Sequence, residues 1–217
     1  MAIKKGDFIK LSYTGSLDDG SVFDTTDKDV AVKHNLHSQK SKYGPVTIVV
    51  GENHVVPGLD SSFVGRETGE YTVVVKDVDG FGKKSAKKMK LVPAKFFKRD
   101  NVRPFVGLQV NIDNEMGIVR SVSGGRIVVD FNHPLASKDL TYAVTIHEIV
   151  SNPQEKVQAV FDLFSIPVES IAATEKEAVI TTKTLLPEQL TTPFAKDITR
   201  LTGIENVSFQ ADGEKKE

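Results

Sequence analysis

The feature that most constrains the fold is a short apolar helix followed by a strand, within residues 51–75. Val55, Val56 and Leu59 form an apolar cluster where the chain turns into the helix. Gly65 stands where a helix commonly ends, and a β-branched run follows after a short turn. This order predicts a small helix that covers one face of a β-sheet.

The segments before the helix have strand patterns. Residues 7–13 alternate between apolar and polar side chains, as in a half-buried strand. A hairpin turn of the Asp-Gly kind follows at residues 19–20, and residues 22–25 resume the sheet. Residues 46–50 form a further β-branched run. The polar stretch at residues 27–43 is expected to form a flap or bulge loop.

A second group of strands lies between residues 84 and 133. Alternating or β-branched runs at residues 107–112, 118–122 and 126–131 are separated by turn residues. They predict a small all-β unit of three or four strands. The basic run at residues 83–90 has little apolar content, which favours a solvated linker.

The C-terminal third, residues 151–217, has the pattern of a small α+β domain with the order helix, strand, strand, helix, strand. Helices are predicted over residues 153–164 and 186–201, although Pro193 inside the second favours a later start. Strands are predicted at residues 168–173, 178–185 and 204–209. The charged residues 212–217 are expected to be a disordered tail. This third contains no chemical motif.

The N-terminal motifs, taken in order, resemble the FKBP-type peptidyl-prolyl isomerase domain. They are Tyr-Thr-Gly at residues 13–15, Asp-Gly at 19–20, Val-Phe-Asp-Thr at 22–25, Val-Val-Pro-Gly-Leu at 55–59 and Phe-Gly at 81–82. Such a domain folds as a curved antiparallel sheet wrapped around one short helix, which would be the helix described above. The similarity covers residues 5–82, and residues 140–150 resemble the last strand of that sheet.

The intervening segment resembles the insert-in-flap domain of SlyD-like and long archaeal FKBPs, at its start (residues 91–97) and at its return (residues 130–136). Ser137 stands where that class usually has glycine, and a positive φ there would carry a modest strain. The resemblance implies an α+β fold: an antiparallel half-barrel on a short helix, an inserted all-β domain and a C-terminal α+β domain. The domains would be residues 1–83 plus 134–150 (isomerase), 84–133 (chaperone insert) and 151–217.

Isomerisation of an Xaa-Pro bond needs neither a nucleophile nor a proton relay. The barrier of roughly 18–20 kcal/mol comes from amide resonance, so a catalyst must favour the twisted amide over the more polar planar one. An apolar cleft does so by desolvation. The resemblance assigns catalytic roles to Tyr13, Asp24, Phe81 and Tyr142. It assigns substrate contacts to Phe23, Val46, Val55, Val56 and Leu59.

Three of these positions depart from the best-known members. Leu59 replaces a tryptophan on the pocket floor, Phe81 replaces a frequent tyrosine, and Val46 replaces a common aromatic residue. The resemblance therefore implies a wider pocket and weaker catalysis on short peptides. The alternative for all the apolar positions is an ordinary hydrophobic core.

The inserted segment supplies candidates for a second client-binding site. They are the apolar residues Phe96, Phe97, Leu108, Val110 and Ile112. An open sheet edge with such residues can take up an extended client, which raises the concentration of its prolines near the pocket. The alternative is that the same side chains form the core of a domain with few apolar residues to spare.

The composition limits the other function classes. Lys plus Arg is 28 against 29 for Asp plus Glu, which removes the general electrostatic argument for a nucleic-acid or membrane partner. There is no cysteine, and no apolar run approaches the roughly 20 residues that span a bilayer, so we expect a soluble cytoplasmic protein. His34 and His37 make only two ligands for a metal. No cofactor is expected.

The sequence thus predicts an FKBP-type isomerase that accelerates proline-limited folding and carries a chaperone insert. Its partners would be unfolded or partly folded proline-containing polypeptides, and the resemblance also allows a homodimer through the C-terminal domain. A first alternative is a binding-only holdase with a weakened pocket, which Leu59 and Phe81 make conceivable. A second is a metal-delivery accessory protein.

Overall fold

The computed structural model describes residues 1–99, 102–184 and 186–211, and the chain separates into two compact units. One unit comprises Met1–Val75 with the chain from Leu140 onwards, and the other comprises Lys76–Asp139. The C-terminal third thus falls into the same unit as the N-terminal sheet. The predicted division into three domains stays a prediction.

Strands outnumber helices among the described residues. The strands are β1 (Phe8–Ser16), β2 (Val22–Thr25), β3 (Val46–Val49), β4 (Gly69–Val75), β5 (Met89–Pro93), β6 (Gln109–Ile112), β7 (Glu115–Ser123), β8 (Arg126–Asp130), β9 (Leu140–Val150), β10 (Ser170–Ala173), β11 (Glu177–Thr182) and β12 (Asn206–Ala211). The helices are α1 (Lys28–Lys33), α2 (Pro57–Ser62), α3 (Ala94–Arg99), α4 (Pro153–Leu163) and α5 (Glu188–Thr202).

The main sheet of the first unit has five antiparallel strands. Its order is β2-β1-β9-β4, and β3 also pairs with β1. Strand β9 follows the second unit in sequence yet lies in the middle of this sheet, between β1 and β4. The predicted return of the chain to complete an antiparallel half-barrel is confirmed.

Helix α2 is the short helix that the sequence predicts. Pro57 occupies its first turn, where a missing N–H costs nothing. Leu59 and Phe63 are buried at 0% and 1% exposure. Gly65 follows with φ +83°, and its N–H donates to the carbonyl of Ile3 at 2.8 Å. The helix contacts β4, so its apolar side closes the core of the sheet.

The stretch at residues 27–43 contains a helix, and the expectation of an irregular loop is wrong for its first part. Asp27 caps α1 by accepting the N–H groups of Asp29 and Val30 at 2.7 and 3.0 Å. Ala31 is the buried residue of this helix. The polar sequence gives no clear helical pattern, because only Ala31 of this helix is buried.

The C-terminal third has the predicted order α-β-β-α-β. Strand β11 pairs antiparallel with β10 and parallel with β12, and α5 connects the parallel pair. Pro193 lies inside α5, so the helix does not start after it as the sequence favours. Residue 185, at the end of a predicted strand, and the tail at residues 212–217 lie outside the described residues.

The core of this third continues into the main sheet. One buried cluster contains Phe8, Val49 and Val150, from the ends of β1, β3 and β9, together with Val157 and Phe161 of α4. The C-terminal helices therefore pack directly against the strand ends of the sheet. They share one hydrophobic core with it.

The second unit is a four-stranded antiparallel sheet of order β5-β8-β7-β6, with α3 beside it. Its core consists of Val92, Phe97, Val119, Ile127, Val129 and Phe131. The basic run is not all linker, because β5 begins at Met89. Ser137 has φ +60°, as the sequence predicts. Within the described chain, no helix is long and apolar enough to cross a membrane.

Candidate active site

The first site element is a hydrogen bond between two predicted catalytic residues. The phenol Oη of Tyr13 donates to Oδ2 of Asp24 at 2.8 Å. Burial first, and then the neighbouring Asp24 carboxylate, raises the pKa of Tyr13 above its ordinary value. The phenol therefore stays protonated at neutral pH, with its proton directed at the carboxylate.

Tyr142 joins this pair from β9. Its ring centroid lies 6.0 Å from that of Tyr13, at an interplanar angle of 67°, and 5.7 Å from that of Phe23, at 88°. Both contacts have the edge-to-face geometry that aromatic pairs prefer. Burial, followed by the charge of Asp24, raises the pKa of Tyr142 to about 12. Four predicted site residues thus form one cluster.

The strand register explains why these side chains meet. Gly15 on β1 lies opposite Asp24 on β2 and opposite Tyr142 on β9. Paired residues share a face of the sheet, and so does Tyr13, two residues from Gly15. The β1–β2 register shifts at Phe23, as in a β-bulge, which brings consecutive residues of β2 to the same group.

Gly15 leaves room for the aromatic rings. A Cβ at this position would lie 2.6 Å from Cζ of Phe23 and 2.9 Å from Cε1 of Tyr142. Both rings therefore extend over the bare backbone of Gly15. Gly15 belongs to the Tyr-Thr-Gly motif of the sequence, but only the register of β1 with β2 and β9 shows that it lies at the base of the cluster.

The aliphatic candidates differ in exposure. Val46, Val55 and Val56 are half-buried, so part of each side chain can meet a ligand. Leu59 is 0% exposed and lies in the core under α2. Contact between Leu59 and a substrate stays a prediction.

The loop before Val55 is held by two side chains that sequence reasoning missed. The carboxylate of Asp60, only 2% exposed, accepts the N–H groups of Gly51 at 2.8 Å and Asn53 at 2.9 Å. Nδ1 of His54 accepts the N–H of Val49 at 3.2 Å, so it must be unprotonated. Burial lowers the pKa of His54, in keeping with that role. The sequence signal for this arrangement is Asp60 itself, an acidic residue in the first turn of a helix that follows a tight loop.

Phe81 belongs to the second unit, where it stacks on His133. The ring centroids are 4.1 Å apart and the planes differ by 4°. Nδ1 of His133 in turn accepts the N–H of Leu135 at 3.2 Å. The stack fixes the orientation of the Phe81 ring within its unit. Its participation in the Tyr13 cluster stays a prediction.

The candidates in the second unit line one cavity of about 380 Å³. Phe96, Phe97, Leu108, Val110 and Ile112 all contribute to it, together with Val102. Both interpretations of these residues have support, because Phe97 is 6% exposed and part of the core, whereas Phe96 is 41% exposed. Leu108, Val110 and Ile112 are partly buried and pack against that core while lining the cavity.

Other features of the structure give less support for a catalytic site. A cavity of about 550 Å³ lies along β1, β4 and β9 and includes Ser12, Thr14 and Thr145. The side chains of Ser12, Thr14 and Thr145 alternate with those of the aromatic cluster and so face the opposite side of the sheet, but Tyr13 also lines this cavity. His37 stacks on Tyr43 at 5.5 Å. Among the described residues, no group of three or more His, Cys, Asp or Glu side chains is placed to hold a metal ion.

Comparisons with known proteins match two parts of the chain. Residues 1–98 match the family described as FKBP-type peptidyl-prolyl cis-trans isomerase, and residues 90–135 match the one described as FKBP26, IF domain. The short-type peptidyl-prolyl cis-trans isomerase of Methanocaldococcus jannaschii is 27% identical over 148 residues, which cover 68% of this chain and 94% of the relative.

Bacterial relatives give a similar result. The isomerase SlyD of Vibrio cholerae is 26% identical over 163 residues, covering 72% of this chain and 73% of SlyD. The FKBP-type 16 kDa isomerase of Escherichia coli K12 is 25% identical over 154 residues, covering 68% and 94% respectively. The two family matches together extend over residues 1–135.

Proposed function

This chain belongs to the FKBP-type peptidyl-prolyl cis-trans isomerases, and from that premise we propose that it accelerates proline-limited protein folding with the help of a client-binding insert. The isomerase pocket is proposed to be the cluster of Tyr13, Phe23, Asp24 and Tyr142. Val46, Val55 and Val56 are proposed as its aliphatic wall, and Phe81 stays a predicted member.

The observation that carries the proposal is the Tyr13–Asp24 hydrogen bond beside the aromatic edges over Gly15. Rings and aliphatic side chains desolvate a prolyl amide, and the planar form loses more because it is the more polar. The rotation needs no proton transfer, which agrees with two phenols that stay protonated. Asp24 is exposed and accepts the hydrogen bond of Tyr13, which supports a role in orienting Tyr13 or in interacting with the twisted imide.

The insert supports the folding role through its apolar cavity. Phe96 and Val102 are the exposed apolar members of this groove, and its other apolar residues are buried or partly buried. Because the insert is joined to the first unit by two chain connections, a client bound there is tethered to the same molecule as the pocket. Tethering raises the effective concentration of the client's prolines without any new contact at the pocket.

Refolding of a proline-limited protein tests the isomerase against the holdase. At amounts far below those of the client, this chain should raise the rate of the slow phase, because each molecule acts repeatedly. A binding-only holdase would instead slow refolding, and only near equimolar amounts. Absence of acceleration at catalytic amounts would refute the folding role.

The groove is tested by two matched substitutions in the insert. Phe96→Ser removes the exposed aromatic ring of the cavity, and Phe105→Ser removes another exposed ring, 59% accessible, that does not line it. We expect Phe96→Ser to reduce acceleration on an unfolded protein while leaving isomerisation of a short peptide unchanged. Phe105→Ser should change neither. Equal effects of the two variants would contradict the assignment of the groove.

Two further expectations remain predictions. Action in the cytoplasm is expected from a sequence without cysteine. The other is a homodimer through the C-terminal third.

The metal-delivery alternative is tested by titration with nickel or zinc. A titration that shows no tight site would remove it.

A further inference from the structure

We propose that Arg200, on α5, is a positioning residue for the isomerase pocket: through Glu52 it holds the loop that leads into Val55 and Val56. The C-terminal third would then act on catalysis without contacting the substrate. This inference rests on the proposed role of the two valines as pocket wall.

The loop is held from two sides. Nη1 of Arg200 donates to Oε2 of Glu52 at 2.8 Å. The residues that flank Glu52, Gly51 and Asn53, have φ angles of +90° and +56° and donate their N–H groups to the buried Asp60. The loop is therefore a tight turn, fixed by α2 on one side and by α5 on the other. The valines follow this turn directly, so a shift of the loop moves them.

Helix α5 is a rigid support for this contact. Ile198, two residues before Arg200, is 0% exposed and belongs to the cluster that also buries Val49 and Phe161. Val49 ends the strand that leads into the loop, and its carbonyl accepts the N–H of Glu52 at 3.3 Å. One core thus fixes both the base of the loop and the helix that carries the guanidinium group.

Arg200 also faces the negative charges beside the loop. Glu52 and Asp60 both act electrostatically on the His54 ring, and Arg200 opposes them there. The bond to Glu52 raises the pKa of Arg200, whose Nε also lies 3.7 Å from Asp197. Loss of the guanidinium would leave Glu52 without its ion-pair partner. The turn would then keep its bonds to Asp60 but lose its contact with α5.

The expected effect is modest, because the pair is partly exposed, at 54% for the Arg200 side chain and 29% for that of Glu52. Exposed ion pairs typically change equilibria by about 1.4- to fivefold. We expect Arg200→Met to lower kcat/KM on a short prolyl peptide by about that factor. Arg200→Lys keeps the charge and should recover part of the loss.

A matched control exists in the same unit. Lys42 forms an ion pair of 3.2 Å with Asp162 of α4, which also joins the N-terminal part to the C-terminal helices but does not touch the loop. Lys42→Met should leave peptide isomerisation unchanged. The backbone amide resonances of Val55 and Val56 should move in Arg200→Met and not in Lys42→Met, with unfolding midpoints similar in both.

The outcomes separate this inference from the proposed function. Wild-type activity in Arg200→Met, or equal losses in Arg200→Met and Lys42→Met, would overturn the positioning role. Asp24→Asn is measured beside them as a pocket variant. If Asp24→Asn retained full activity, the pocket assignment itself would fail, and the inference would fall with it.

Discussion

Substitution of Gly15 by alanine should displace the aromatic side chains of the proposed pocket. The new Cβ would lie 2.6 Å from Cζ and 2.9 Å from Cε2 of Phe23, and 2.9 Å from Cε1 of Tyr142. Ordinary carbon contacts are about 3.5–4.0 Å, so both rings must move by roughly 1 Å. Gly15 does not have a positive φ, and the clash is therefore the only local strain.

The change in stability combines two opposing effects. Overpacking costs about 1–3 kcal/mol, whereas replacing glycine by alanine in an ordinary strand conformation stabilises by about 0.4–1 kcal/mol through the unfolded state. We therefore expect a net loss of about 0–2.5 kcal/mol in the free energy of unfolding, which leaves the protein folded. A misplacement of about 1 Å at a catalytic group can cost about 100-fold, so we expect a 10- to 100-fold lower kcat/KM.

The assay is isomerisation of a short Xaa-Pro peptide, measured beside the unfolding midpoint. Gly117→Ala is the matched control, because a Cβ there would lie 2.6 Å from Val129 and 2.9 Å from Phe131, in the core of the other unit. It should destabilise to a similar degree and leave peptide isomerisation unchanged. Wild-type kcat/KM in a folded Gly15→Ala variant would refute the reasoning, because the rings would then not form the catalytic wall.

Two further predictions concern histidines. His133→Ala removes the stacked partner of Phe81, a contact worth about 0.5–1.5 kcal/mol, and should lower kcat/KM about 2- to 10-fold. The control is His147→Ala, at an exposed position of β9, which should leave kcat/KM unchanged. Equal activities of the two variants would exclude a role for the stack. Burial lowers the pKa of His54 in the folded protein, so as the pH falls the unfolded chain takes up a proton at this residue before the folded one does. The free energy of unfolding therefore decreases as pH falls below about 6.5. Chemical denaturation at about pH 7.5 and about pH 5.5 should show a smaller loss of unfolding free energy in His54→Ala than in the wild type. The variant also lacks the bond from Val49 N–H, so its stability is lower at both pH values. The same pH dependence of stability in both proteins would contradict this prediction.

The parts of the fold that sequence predicts well are those with strong periodicity. The alternation of β1 and β9 places Tyr13 and Tyr142 on one face, and the glycine after α2 marks its end. The short α1 is different, because it buries only Ala31 and its pattern does not differ from that of a polar loop. The start of α5 differs from the sequence expectation, because the helix begins at Glu188 and continues through Pro193 despite the local penalty of a proline.

The candidate site depends on features that no local pattern contains. The bulge that turns Phe23 to the same side of the sheet as Asp24 is a property of the pairing between two strands. Asp60 and His54 act on backbone N–H groups of a turn whose conformation the sequence does not specify. The contact of Arg200 with the same turn joins residues far apart in the chain, through a core shared between segments that the sequence presents as separate.

Exchange NMR on a short Xaa-Pro peptide tests the central claim most directly. With the wild-type chain at about one hundredth of the peptide concentration, cis–trans exchange cross-peaks should appear, because uncatalysed isomerisation takes tens of seconds or longer. Asp24→Asn keeps an acceptor for the Tyr13 hydroxyl but removes the charge, and should lower the exchange rate about tenfold. An exchange rate in Asp24→Asn equal to that of the wild type would contradict the account.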